Sequence, residues 1–182
     1  IICGFGRTGH WFGSETWGLR PDLMTVAKQL TASVFPMSAV AMRAEIYDGL
    51  KPLAHDVGTF GHGVTYGGHP VGAAVALECL EIYEEMDLPA HVARLGARIK
   101  SELERLADAP GVLDVRCQGM LAALECETEA QAQAIGAAAV ARGVFFRIIG
   151  PVVAIAPPYI CTGGDIDRIM SVLAEAVAEA RL

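Results

Sequence analysis

Short apolar runs bounded by turn residues open the chain and predict strands near residues 1 to 4, 22 to 27 and 37 to 42. Each run is apolar on both faces, the pattern of a covered and largely parallel sheet. Loops rich in Gly, Ser and aromatic residues lie between them. From Pro70 to Met86 the period becomes helical. Proline occupies the first turn, Gly72, Ala73 and Ala76 supply a face of small residues, and acidic residues gather at the far end. A second helix is expected from about Ala90 to Ala107.

Beyond Pro110-Gly111 the texture changes, with strands predicted around 112 to 117 and 119 to 126. A helix then begins at the capping box Thr128-Glu129-Ala130-Gln131. Further strands are expected at about 144 to 148 and 152 to 156. Thr162-Gly163-Gly164-Asp165 is another helix start, and Ile166, Ile169, Met170, Leu173 and Val177 continue it as an apolar stripe ending in a polar tail. Strands and helices in this order predict a separate α+β lobe from about residue 90 onward.

Composition narrows the class. With 53% hydrophobic residues among 182, the chain can bury one substantial core or two small ones. A formal charge of −7, from 14 Lys+Arg against 21 Asp+Glu, offers no basic face, so nucleic acid is not an expected partner and no basic run suggests a membrane surface. The five cysteines are scattered, odd in number and mostly within apolar stretches; they read as reduced core residues, which points to a cytoplasmic setting. No HExxH or paired CxxC spacing is present, and His10, His55 and His91 read as ordinary surface or supporting groups, so no metal is expected. No run approaches the roughly 20 apolar residues of a membrane span, and no signal peptide is expected. Ile1-Ile2-Cys3-Gly4 resembles the interior of a strand without initiator Met or polar lead-in, so the chain is expected to be a fragment whose upstream half is missing.

Lys28 carries the sharpest chemistry. It stands where the apolar run Leu23-Met24-Thr25-Val26-Ala27 gives out. Complete burial can lower a lysine pKa by roughly 3 to 5 units, and a neutral amine forms an imine with an aldehyde; the alternative is a lysine that marks the solvent end of a strand. Two glycine-rich segments accompany it. Gly4-Phe5-Gly6-Arg7-Thr8-Gly9 matches a dinucleotide fingerprint, but His10-Trp11-Phe12-Gly13-Ser14 cannot continue as the required helix, and Asp22 precedes the next strand instead of ending it. Nicotinamide or flavin nucleotide binding is therefore not expected. Phe60-Gly61-His62-Gly63-Val64-Thr65-Tyr66-Gly67-Gly68-His69-Pro70 leads into a helix, so its amides, the Thr65 hydroxyl and the helix N-terminus make an anion site that would suit a phosphate. The same segment also reads as a surface loop with an ordinary N-terminal cap.

Gly4-Phe5-Gly6-Arg7-Thr8-Gly9, Pro21-Asp22-Leu23 leading to Ala27-Lys28, and Thr65-Tyr66-Gly67-Gly68-His69-Pro70 stand in the order and separation of one family. The chain resembles the class III pyridoxal-phosphate-dependent aminotransferases, and within them the omega-amino acid:pyruvate transaminases, over the latter half of a family member. The resemblance implies an α/β fold of the fold-type I class: residues 1–89 as the C-terminal part of the large, parallel-sheet cofactor domain and residues 90–182 as the small domain. It implies pyridoxal 5'-phosphate as cofactor, an amine and a keto acid as substrates, and a homodimer with active sites at the subunit interface. By that pattern Lys28 forms the Schiff base and Thr65 reaches the cofactor phosphate, from the neighbouring subunit. Arg147, embedded in Val144-Phe145-Phe146-Arg147-Ile148-Ile149-Gly150, matches the mobile arginine that clamps a substrate carboxylate; read from the residues alone it is a strand-edge arginine with its stem along apolar surface.

The chain departs from the family pattern at Gln29, where a small residue is usual, and at Val34-Phe35-Pro36, where a Gly-Tyr or similar pair precedes the proline. The family's Asp-Glu pair, whose Asp holds the pyridine nitrogen protonated, would precede Ile1. Alternative readings are an aminomutase or decarboxylase on the same scaffold, a non-catalytic piece, and a nucleotide-dependent oxidoreductase.

Overall fold

The chain folds as two units in a computed structural model that describes residues 1–180. Ile1–Phe5 and His10–Asp87 form the first, and Gly6–Gly9 with the chain from Leu88 onward form the second. Phe5 (φ 52°), Gly9 (φ 87°) and Asp87 (φ 45°), which end successive stretches of the division, are all left-handed. Such backbone turns the chain sharply, at a cost of about 1–2 kcal/mol for a residue with a Cβ.

In the first unit a short helix α1 (Gly13–Thr16) precedes strand β1 (Leu23–Val26). A 3₁₀ turn at Lys28–Leu30 leads to strand β2 (Ala39–Met42), and helices α2 (Ala44–Asp56) and α3 (Pro70–Glu85) follow. Here the sequence expectation needs correcting. The two strands pair antiparallel, Leu23 opposite Met42 and Val26 opposite Ala39, and make a two-stranded sheet. Parallel pairing needs a long crossover connection, whereas residues 27–38 hold only the 3₁₀ turn and bends, so the chain returns beside itself. Nor are the apolar faces covered within the unit: Leu23 and Val40 are both 55% exposed. Residues 1 to 4 form no strand, because the backbone enters turns from Cys3 onward. Helix α2 was not anticipated: Gly49 and Pro52 interrupt its propensity, and the helix is formed with Pro52 inside it.

The second unit closes a core. Helix α4 (Leu88–Glu104) leads into strands β3 (Val112–Gln118) and β4 (Leu121–Cys126), then helix α5 (Glu129–Ala141), strands β5 (Arg147–Ile149) and β6 (Val152–Ile155), and helix α6 (Gly163–Glu179). The four strands are antiparallel in the order β3-β4-β6-β5, which leaves β5 at one edge. Helices α4 and α5 pack on the sheet, and α6 packs on both of them. Val92 and Ile99, Leu124 and Val153, Ile135, and Ile166 and Leu173 bring the three helices and the sheet into one interior, each with at most 1% exposure. Thr162 and Asp165 cap α6 reciprocally, the Asp165 amide donating to the Thr162 hydroxyl oxygen (3.2 Å) and the Thr162 amide to the Asp165 carboxylate (2.8 Å). At α5 only half of the expected box forms. Thr128 accepts from the Gln131 amide (3.2 Å), while the Gln131 side chain is buried and donates to the Pro110 carbonyl (3.1 Å).

Gly119, between β3 and β4, sets how closely this unit packs. Its φ is 59°, and a Cβ there would lie 2.6 Å from the Thr8 carbonyl carbon. A Cβ on Gly96 of α4 would meet the Gly119 Cα at 2.7 Å. Three stretches of backbone therefore approach one another with no room for a side chain. Cys117 is drawn into the same contact, 3.6 Å from the Gly96 carbonyl, and burial pushes its thiol up to about 11. Among the described residues no helix is long and apolar enough to cross a membrane, and no cluster of three or more His, Cys, Asp or Glu could hold a metal.

Candidate active site

Lys28 begins the 3₁₀ turn that follows β1, and it does so with φ at 52°. A non-glycine residue in that region is held there by its surroundings, and such residues cluster at functional sites. The surroundings are visible. The Leu30 amide donates to the Ala27 carbonyl (3.1 Å), the Thr31 amide to Lys28 (3.2 Å) and the Val34 amide to Thr31 (2.9 Å). The buried Thr31 hydroxyl donates to the Phe35 carbonyl at 2.5 Å. Ala32 (φ 46°) and Ser33 (φ 66°), after Thr31 at φ −130°, are left-handed as well. The Lys28 side chain itself is exposed, so the expected desolvation is not supplied by β1: the strand is short and half-exposed, and the turn carries the lysine out of it. Of the three lysines in the chain, Lys51 pairs with Asp48 (2.6 Å) and Lys100 with Glu104 (3.8 Å). The Lys28 side chain has neither ion pair nor hydrogen bond among the described residues.

Thr65 opens a four-residue turn ahead of α3 and is exposed. The helix end is less open to an anion than the glycines suggest. Pro70 has no N–H, the Val71 amide donates to the His69 ring Nδ1 (3.2 Å), and the Ala73 amide to the His69 carbonyl (3.0 Å). The Gly67 amide of the turn is also taken, donating to the Val64 carbonyl (2.9 Å), which leaves the Thr65 hydroxyl and the other amides of the turn as donors on this loop. A cavity of about 170 Å³ lies beside the turn, with Phe35, Met37, Ser38, Tyr66, His69 and Gly72 in its wall. Phe35 packs on Gly72, where a Cβ would lie 2.8 Å from the ring, and its ring centroid is 5.1 Å from that of His69. No hydrogen bond joins Thr65 to Lys28; each stands on its own loop of the first unit. An amine able to take a carbonyl carbon and a hydroxyl with turn amides able to take a phosphate are the donors a phosphorylated aldehyde requires, and in that chemical sense the residues fit pyridoxal 5'-phosphate.

Arg147 belongs to the second unit, as the first residue of edge strand β5, opposite Ala154 of β6. Its side chain is exposed, with no hydrogen bond or ion pair among the described residues. Arg98 is paired with Asp167, and Arg142 with Glu175 (3.1 Å) and Glu179 (2.5 Å). A guanidinium fork left without a protein acceptor is open to a carboxylate.

Two residues escaped the sequence reading. Tyr83, on the buried face of α3 that Gly72, Ala76 and Cys79 also line, donates its hydroxyl to the Gln29 carbonyl (2.8 Å) and lies 3.2 Å from the Gln29 side-chain oxygen. The signal was present: an aromatic with a polar tip at helical spacing within an apolar stripe asks for a hydrogen-bond partner. Arg7 is the other. Only 6% exposed, it donates to the carbonyls of Met120 (3.2 Å) and Pro157 (2.7 Å), and its guanidinium lies 4.3 Å from the centre of the Tyr159 ring. The Met120 amide in turn donates to Arg7, and the Gln118 side chain to Thr8. Gly4 to Gly9 is thus turn and bend with no helix opening at its last glycine, the geometry a dinucleotide needs.

A profile of Aminotransferase class-III matches residues 1–177. The chain is 35% identical to probable gamma-aminobutyrate transaminase 4 of Oryza sativa subsp. japonica, over 97% of this chain and 39% of that protein. It is 39% identical to the uncharacterized aminotransferase y4uB of Sinorhizobium fredii, over 97% of this chain and 41% of that one. It therefore spans about two fifths of the curated relatives it matches. Among solved structures, the omega transaminase from Pseudomonas jessenii in complex with PMP superposes with a TM-score of 0.96 at 36% identity, over 99% of this chain and 42% of that one. A transaminase with L-Ala gives a TM-score of 0.95 at 37% identity, over 98% and 45%. The fold is that of these fold-type I transaminases, and the chain belongs to the class-III aminotransferase family.

Proposed function

We propose that the enzyme of which this chain forms a part catalyses transamination between an amine or omega-amino acid and a keto acid such as pyruvate, using pyridoxal 5'-phosphate held by Lys28 as a Schiff base. The observation that carries this is Lys28 itself: the lysine without a partner, on a left-handed residue of a tightly bonded turn. Its Nζ would hold the cofactor through the aldehyde carbon, with loss of water. With the cofactor bound, the Lys28 amine would also serve as the base that moves a proton between the substrate carbon and C4′. The cofactor, when bound, supplies the electron sink. Thr65 holds the phosphate with the amides of its turn, across the interface of a homodimer. Arg147 takes the substrate carboxylate in its fork and swings aside for an amine that lacks one.

The uncovered apolar side chains of the first unit, Trp17 (59% exposed), Leu53 (62%) and Tyr66 (79%) among them, support an assembly in which other polypeptide packs on it. Residues 1–89 are then the C-terminal part of the large cofactor domain and residues 90–182 the small domain. The free thiols of Cys3, Cys79, Cys117, Cys126 and Cys161 support a reducing compartment, the cytoplasm. Borohydride reduction of the cofactor-loaded enzyme followed by peptide mapping tests the reading. The pyridoxyl group is expected predominantly on Lys28; its recovery on Lys51 or Lys100 in preference to Lys28, or nowhere in this chain, overturns it.

A further inference from the structure

Tyr83 reaches from α3 to the residue that follows Lys28. Its side chain is 5% exposed and its hydroxyl donates to the Gln29 carbonyl at 2.8 Å. That carbonyl also accepts from the Ala32 amide (3.4 Å), so the phenol fastens the middle of the 3₁₀ turn to the helix. The Gln29 side-chain oxygen lies 3.2 Å from the same hydroxyl, at the position where this chain departs from the small residue usual in its family. The turn starts from a left-handed Lys28 and runs on to left-handed Ala32 and Ser33. Backbone of that kind relaxes unless neighbouring structure holds it. We infer that Tyr83 is a positioning residue for Lys28: anchored at Gln29, the turn keeps Lys28 left-handed and so fixes the direction in which its amine leaves the backbone. The inference rests on the reading of Lys28 as the lysine that binds the aldehyde.

Without the anchor the turn samples other backbone conformations and the amine spends less time aimed at the aldehyde carbon. One neutral hydrogen bond accounts for a change of about 3- to 10-fold. The covalent step measured is addition of the Lys28 amine to the aldehyde with loss of water, after which borohydride delivers hydride to the same carbon.

The test uses the intact enzyme stripped of cofactor, exposed to pyridoxal phosphate for timed intervals, reduced with borohydride and mapped by peptide. Adducts at Lys51 and Lys100, which stand on other helices, serve as internal references. With Tyr83→Phe, labelling of Lys28 relative to Lys51 is expected to slow about 3- to 10-fold, and p-aminophenylalanine at 83, which restores a donor, is expected to recover it. Gln29→Ala keeps the backbone acceptor and should slow it less. Wild-type relative labelling in Tyr83→Phe overturns the inference, and so does equal slowing at Lys28, Lys51 and Lys100, the mark of a general structural defect. Hydrogen exchange on the unaltered enzyme is an independent check, since fast exchange at the Leu30, Thr31 and Ala32 amides would show a turn that nothing anchors. Absence of any Lys28 adduct in the unaltered enzyme is a different failure, that of the Lys28 reading.

Discussion

The two units use their apolar residues in opposite ways. The largest fully buried side chains, from Leu88 on α4 to Leu173 on α6, all belong to the second unit. The first unit leaves Leu19 (63%), Val57 (61%) and Val64 (73%) exposed and folds its strands into a two-stranded ribbon that by itself is marginal in water. Yet Lys28 and Thr65, the residues proposed to hold the cofactor, lie in the first unit, while Arg147, proposed for the substrate carboxylate, lies on an edge strand of the second. Chemistry and self-sufficient packing have been given to different stretches of one chain. A loop is free to adopt left-handed backbone at Lys28 because it need not fill a core.

The contrast can be broken first at Lys28. Lys28→Ala is expected to cut turnover of the intact enzyme by at least about 10² to 10⁴, with thermal unfolding unchanged and partial recovery on adding a small primary amine. Retained turnover would remove the first unit's claim to the chemistry. Next comes Arg147→Leu, for which kcat/KM towards the keto acid should fall about 10- to 100-fold, the loss of a charged, forked pair. The half-reaction with an amine bearing no carboxylate should stay within about threefold; equal losses in both would make the rim arginine a structural residue.

Stability separates the units less steeply. Leu173→Ala, in the closed core, should cost about 2–5 kcal/mol in denaturant unfolding. Leu53→Ala should cost less than about 0.5 kcal/mol if α2 faces water in the intact enzyme, and about 1 kcal/mol or more if other polypeptide covers it, which is the outcome expected from a homodimer. The smallest effect belongs to the α6 cap. Donation from the Thr162 hydroxyl and amide holds the Asp165 carboxyl below its ordinary pKa. Because the folded value is the lower one, the cap's contribution is whole above the unfolded value of about 3.9 and is lost as pH falls through the folded value. Melting of wild type relative to Asp165→Asn should therefore be level from neutrality to about pH 5 and converge below about pH 4. A difference that persists into strong acid would assign the cap to packing.

Legibility in the sequence followed the same division. In the second unit the hydrophobic period largely coincides with burial: of the stripe Ile166, Ile169, Met170, Leu173 and Val177, all but the half-buried Ile169 lie on the buried face of α6. The expected order of helix and strand from Pro70 to Glu179 is the order observed. In the first unit the same inference misled, because apolar runs there are not evidence of covering by this chain. Leu23, Val40 and Met42 suggested a buried parallel sheet and form an exposed antiparallel pair. Helix α2 was hidden by Pro52, since tertiary context overrides propensity. Of the residues proposed for the site, Lys28 and Thr65 were singled out by motif and Arg147 by resemblance. Tyr83 and Arg7 were not, because each acts on backbone carbonyls far along the chain, at Gln29, Met120 and Pro157, and pairings of that separation leave no local period to read.

Strand β5 lies at the margin of its sheet, and the backbone of Arg147 pairs with Ala154 irrespective of what its side chain carries. Any residue other than proline can occupy that position and leave the ladder through Ile148 and Ile149 intact. On the proposed reading of Arg147, substitution there alters carboxylate recognition while the pairing of β5 with β6 is kept.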